Sequence, residues 1–138
     1  MERIKRILVV DDEPEAVNSL LRHLWREGFE TDSAFDGLEA RSKLVEASLR
    51  GAPFNLLILD VLMPRMNGIE LFKWVKEYYP LTSAIFISAF GDTDAIRANI
   101  RCGFDDFGQK PFTPRKMMQL IESIQEVRTT LRNEPCYS

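Results

Sequence analysis

The chain has no run of roughly 18 apolar residues, only one histidine and two cysteines, and no excess of basic charge. Each shortage removes a class of explanation. Without a long apolar run, no segment reads as a membrane-spanning helix. Cys102 and Cys136 stand far apart and in no ligand spacing, so neither a disulfide framework nor a zinc site is expected, which fits a reducing compartment. Lys and Arg number 18 against 21 Asp and Glu, a net charge of -3, and no basic patch argues for direct contact with nucleic acid. Arg97 and Arg101 in "RANIR" read as one solvated helical turn. His23 falls on the outer side of the first helical pattern, with no catalytic partner. The N-terminal "MERIKRILVVDDE" lacks the cleavage site of a secretory signal. The expectation is a cytoplasmic protein that does not engage a membrane.

What is present suits one globular domain. The 138 residues are 45% apolar and 28% charged, enough to bury a core but too few for two ordinary domains. Apolar runs of strand length alternate with amphipathic stretches of helix length. "RILVV" (6–10) reads as a buried strand, and 14–27 as a helix carrying Val17, Leu20, Leu21 and Leu24, with Pro14 in its first turn and Gly28 after it. "ETDSAF" (30–35) is a more polar strand near an edge. Leu38, Arg41, Leu44, Val45 and Ser48 mark a second helix over 37–50, ended by Gly51-Ala52-Pro53.

"NLLILD" (55–60) is the third strand, and Asn67-Gly68 opens a helix through 78 with Ile69, Phe72, Val75 and Tyr79 inward. "SAIFIS" (83–88) is the fourth strand, 93–102 a helix with Ile96 and Ile100 inward, and "DDFGQ" (105–109) a short fifth strand. Residues 114–132 form the last helix, carrying Met117, Leu120, Ile121, Ile124 and Val127. Strict alternation with near-continuous apolar strands predicts an α/β fold. It has a parallel sheet covered on both faces and right-handed crossovers.

In such a sheet, chemistry gathers outside the carboxyl ends of the strands. Those ends carry Asp11 and Asp12, Asp60, Ser88 and Lys110. Three carboxylates in one place repel and need a counter-charge, and an all-oxygen set selects a hard cation such as Mg²⁺. Magnesium keeps waters and binds phosphate oxygens, so the set points to phosphoryl chemistry. Lys110 then supplies a point charge, Ser88 a hydrogen-bond donor, and a carboxylate can itself accept the phosphoryl group.

"VVDDE", "LILDVLMPRMNGIEL", "IFISAFGD" and "DDFGQKPF" together resemble the receiver domain of two-component response regulators, over roughly residues 5 to 130. The likeness is specific because four separated motifs occur in order. It implies a doubly wound, flavodoxin-like three-layer fold with strand order 2-1-3-4-5. Residues 1–132 would be the receiver and 133–138 a polar tail, the start of a linker to an output domain. Asp60 would be the phosphoacceptor. Asp11, Asp12, Asp60 and the backbone carbonyl of Leu62 would hold Mg²⁺, Asp12 directly and Asp11 partly through water.

Lys110 would contact the phosphoryl group, Ser88 would be the switch hydroxyl, and Phe107 the ring that turns inward behind it. The implied partners are a sensor histidine kinase or a histidine phosphotransfer protein. The surface of the fourth helix, fifth strand and fifth helix would meet an output domain, a partner or a second copy. The chain would catalyse only its own phosphorylation and dephosphorylation, within a phosphorelay. The family commonly has a cis peptide before the proline of Lys110-Pro111.

Departures from the family pattern are Ser88 in place of the commoner threonine and Phe107 in place of tyrosine, which loses the phenol's hydrogen bonds. Three rivals stand beside this reading. A degenerate receiver would serve only as a protein-binding module. A Mg²⁺-dependent phosphohydrolase with an Asp nucleophile would want a second carboxylate where Leu62 stands. A flavodoxin-like carrier would want a Gly/Ser/Thr-rich loop where the chain has Asp-Asp-Glu-Pro. Leu62 and Phe90 place apolar side chains beside the expected phosphorylation pocket, so an attacking water is poorly held and self-dephosphorylation should be slow. Leu62→Asn should therefore shorten the phosphoryl half-life, and an unchanged half-life would remove Leu62 from that role.

Overall fold

The structure is a computed structural model that describes residues 3–61, 66–88, 93–110 and 113–130. Leu62, Phe90, Pro111, Leu131 and Cys136 therefore lie outside the described residues, as does the expected cis peptide at Lys110-Pro111. The elements run β1 (Arg6–Val10), α1 (Pro14–Arg26), β2 (Glu30–Ala34), α2 (Gly37–Leu49), β3 (Leu56–Asp60), α3 (Gly68–Tyr78), β4 (Ser83–Ser88), α4 (Thr93–Arg97), β5 (Asp106–Gln109) and α5 (Pro114–Thr130). All strand pairs are parallel and the order is β2-β1-β3-β4-β5. The expected doubly wound α/β architecture is the one observed.

Side-chain alternation along each strand divides the core into two layers. Leu8, Val10, Leu57, Leu59, Ala84 and Phe86 pack with α2, α3 and Ile96 of α4. Ile7, Val9, Leu56, Ile58, Ile85 and Ile87 pack with Val17 and Leu24 of α1 and Met117, Ile121 and Ile124 of α5. Every residue of β3 and β4 is buried, as strands covered on both faces should be. In β2 only Ala34 is buried, in keeping with an edge strand.

Several local expectations need correction. The fourth helix was expected over 93–102 but ends at Arg97, and 98–99 form a turn. The second helix forms where expected, and of its marking residues only Leu44 is buried: the inner face is Gly37, Ala40, Leu44 and Ala47, and Leu38 and Val45 are exposed. Small residues let that helix sit close to the sheet. His23, expected to be exposed, is half-buried. Cys102, for which no disulfide was expected, is half-buried and disulfide-bonded, so cysteine usage no longer argues for a reducing compartment.

A polar network also lies at the amino-terminal end of β4 and β5. Arg128 of α5 is 1% exposed and donates to the Leu81 carbonyl at 2.8 Å and to Ser83 Oγ at 2.9 Å. Lys76 pairs with buried Asp105 at 3.0 Å and donates to the Thr82 carbonyl at 2.7 Å. Burial pushes the Lys76 amine below its ordinary range, against the pull of Asp105.

The start of α3 is pressed against the end of β3. Asn67 caps the helix by accepting from the Glu70 amide at 2.9 Å, and the Gly68 amide donates to the Val61 carbonyl at 2.8 Å. A Cβ on Gly68 would overlap the carbonyl oxygen of Asp60. Gly68→Ala should therefore cost about 1–3 kcal/mol in urea unfolding, because backbone rather than a flexible side chain must move. A stability equal to that of the parent would show that this contact is slack.

Candidate functional site

Strand register brings the candidate residues to one edge. Val10 pairs with Leu59 and Leu59 with Phe86, so Asp11 and Asp60 stand level at the ends of adjacent strands. Two backbone bonds carry the ladders one step beyond the strands: Asp11 N to the Ala34 carbonyl at 3.1 Å, and Lys110 N to the Ser88 carbonyl at 2.8 Å. The sheet itself thus fixes the backbone on both sides of Asp60.

Asp11, Asp12 and Asp60 each offer a carboxylate oxygen, and these oxygens all lie within 4.8 Å of one another. Asp11 and Asp60 are buried, while Asp12 is exposed. Lys110 Nζ stands 3.1 Å from Asp60 Oδ2 and 3.6 Å from Asp11 Oδ2, so one ammonium serves two buried carboxylates. The other oxygen of Asp11 accepts from the Glu13 amide at 3.1 Å. Burial nevertheless holds the Asp11 carboxyl above its ordinary 3.8; the Glu13 amide and Lys110 pull the other way, and the charges of Asp60 and Glu13 add to the rise. For Lys110 burial alone would lower the amine, but the hydrogen bond to Asp60 and the charges of Asp11, Asp60 and Glu13 outweigh it. The net effect lies above the ordinary 10.5.

Ser88 and Phe107 belong to the opposite side of the sheet. Ser88 shares its strand face with Ala84 and Phe86, and Phe86 pairs with Phe107. The Ser88 hydroxyl is wholly buried and has no hydrogen-bond partner among the described residues. A buried hydroxyl left in this way costs about 1–3 kcal/mol, so it stands ready for an acceptor. Phe107 is half-buried against the core, and the Arg97 guanidinium lies 5.2 Å from its ring centroid.

Of the residues expected at the site, the structure thus gathers Asp11, Asp12, Asp60 and Lys110 directly. It places Ser88 and Phe107 behind them on β4 and β5. The Leu62 carbonyl lies outside the described residues. The part that Arg97 plays against Phe107 was missed, because an arginine at the end of an exposed helix carries no signal of the ring beneath it. Among the described residues no helix is long and apolar enough to cross a membrane.

Comparison with known proteins agrees with this geometry. The family model described as "Response regulator receiver domain" matches residues 7–122. The response regulator GtcR of Aneurinibacillus migulanus is 34% identical over 136 residues, covering 95% of this chain and 51% of that protein. The transcriptional regulatory protein CrdR of Helicobacter pylori is 39% identical, covering 78% of this chain and 49% of that protein. The chain therefore spans about half the length of the curated relatives it matches.

Among solved structures, a two component transcriptional regulator AraC from Clostridium phytofermentans superposes with a TM-score of 0.74 at 36% identity, covering 91% of this chain and 96% of that one. The receiver domain of NtrX from Brucella abortus gives a TM-score of 0.73 at 31% identity, covering 87% and 98%. The acidic edge, the strand order and the matched span all lead to one conclusion: this chain belongs to the receiver domain family of two-component response regulators.

Proposed function

We propose that the chain is a phosphorylation-controlled switch in the cytoplasm, and that Asp60 is its phosphoacceptor. The observation that carries this reading is the placement of Asp60 between two further carboxylates and the Lys110 ammonium. A sensor histidine kinase or a histidine phosphotransfer protein would supply the phosphoryl group. An Asp60 oxygen attacks phosphorus, the P–N bond to the donor imidazole breaks as the P–O bond forms, and the imidazole leaves with a proton from solvent. The chain catalyses this transfer, and the later hydrolysis, on itself alone.

The donor set fits a hard divalent cation. All three groups are oxygens, two are buried, and the single Lys110 ammonium faces three carboxylates, so the cluster keeps room for further positive charge. Asp11, Asp12, Asp60 and the Leu62 carbonyl would hold Mg²⁺, which when bound neutralises charge on the transferring group. Lys110 binds a phosphoryl oxygen as a point charge. Ser88 donates its buried hydroxyl to another, and Phe107 moves into the space behind it, away from Arg97. The surface of α4, β5 and α5 then reads out the change to an output domain, a partner or a second copy. Relatives of twice the length are named as transcriptional regulators, so residues 1–132 act as the receiver and 133–138 as the start of a linker to such an output.

Acetyl phosphate with Mg²⁺ should add one phosphoryl group to the parent, seen by intact mass, and none to Asp60→Asn. Equal labelling of Asp60→Asn would move the acceptor elsewhere. Asp11→Asn gives a second, independent readout. Because burial raises the Asp11 carboxyl, the folded chain holds that proton more tightly than the unfolded chain, and ionised Asp11 costs stability at neutral pH. Without Mg²⁺, Asp11→Asn should melt above the parent, and the gap should close as pH falls through the raised value towards 3.8. Adding Mg²⁺ should raise the parent's melting temperature and leave the variant's nearly unmoved. Equal stabilisation of both would take Asp11 out of the metal site.

A further inference from the structure

Helix α2 presents an unusual outer face. Its inward residues are a glycine, two alanines and a leucine, while Leu38, Val45 and Leu49 are 40%, 38% and 83% exposed. With exposed Ser42 they form a stripe spaced 4, 3 and 4 residues, the d-a-d-a seam of a coiled coil. Arg41 and Glu46 flank that seam on opposite sides, five residues apart, at the g and e positions. Neither has an ion-pair partner among the described residues. The Arg41 guanidinium lies 4.6 Å from the centroid of the Trp74 ring on α3. Stacking there fixes the group while leaving its in-plane N–H edges open to a carboxylate.

We infer that this face takes a second copy of the same chain, paired in parallel through α2 about a two-fold axis along the helix. In that arrangement the seam residues meet their own counterparts. Arg41 of each copy reaches Glu46 of the other, so symmetry makes the ion pair twice. An antiparallel pairing would bring Arg41 towards Arg41 and Glu46 towards Glu46, and like charges disfavour it. The seam is only roughly 16 Å long and has a serine within it, so the association is weak, reversible and dependent on concentration. The inference does not depend on phosphorylation of Asp60, and it concerns a helix away from the α4, β5 and α5 surface.

Sedimentation velocity of the 138-residue chain over a concentration series tests it. The parent should self-associate reversibly. Arg41→Glu and Glu46→Arg should each weaken the association roughly tenfold, since each turns two attractive pairs into repulsive ones. An equimolar mixture of the two variants should recover parent-like association, because every cross-copy pair in the mixed dimer is again of opposite sign. Leu49→Glu, at a side chain too exposed to matter for folding, should abolish it. A parent that stays monomeric throughout, with the face left to another protein, would overturn the proposal. So would charge variants that associate like the parent, or a mixture no stronger than its components.

Discussion

The constraint on which the rest depends is electrostatic. Register in the parallel sheet places Asp11 and Asp60 level at the ends of neighbouring strands, and both are buried. Two carboxylates so placed repel, and each loses water. Lys110 answers both from the end of β5, at 3.1 and 3.6 Å, but one positive charge cannot cancel two negative ones and the nearby Asp12 and Glu13. The fold keeps this arrangement because the apolar runs around it leave the strands nowhere else to go. Every residue of β3 lies in one of the two core layers or at the acidic edge. The hydrophobic effect holds the carboxylates together, and the site retains an appetite for positive charge.

The same alternation that builds the core separates two tasks. Asp11, Asp60 and Lys110 hold the charged edge, while Ser88 and Phe107 share the face that looks towards α3 and α4. Ser88 directly follows Ile87, the register partner of Asp60, so a charge added at Asp60 would lie within a residue of a buried hydroxyl that has no partner among the described residues. Phe107 in turn touches Arg97, the last residue of α4. A short chain of neighbours therefore connects the acidic edge to a five-residue helix with little backbone bonding of its own. Little energy is needed to rearrange such an element, which suits the switching surface proposed above.

The strands and the acidic edge were legible because their signals are local. Apolar runs that end in Asp11-Asp12, in Asp60 and in Ser88 announce themselves in four to six residues. What was illegible depended on depth. In α2 the sequence marks a helix through Leu38, Arg41, Leu44, Val45 and Ser48 but does not say which side faces in, and the buried side is Gly37, Ala40, Leu44 and Ala47. Gly37 is crowded by the segment ahead of α3, since a Cβ there would overlap Met66. Arg128 falls in step with Met117, Ile121 and Ile124 on the buried side of α5. Nothing in that spacing reveals that its charge is met by the Leu81 carbonyl, Ser83 and the Phe104 ring. The turn that ends α4 early leaves Ile100 half-buried, so the apolar spacing of 96 and 100 survived while the helix did not.

The orientation of α2 has a physical consequence for how the molecule presents itself. Had Leu38 and Val45 pointed inward, the face above β1 and β2 would be polar and α4, β5 and α5 would be the natural place for contacts. With small residues inward and large ones outward, the chain has two separate faces with different characters. One adjoins Phe107 and, in the proposed switch, would follow the state of the charged edge. The other is a helix held by its own cap at Asp36 and by packing in the core, so its stripe and flanking charges would stay as they are if Asp60 were modified. A constant face can bring copies together without regard to signal, leaving the variable face free to report it. Pairing about an axis along α2 would also turn both acidic edges the same way, because α2 runs back against the strands that carry them.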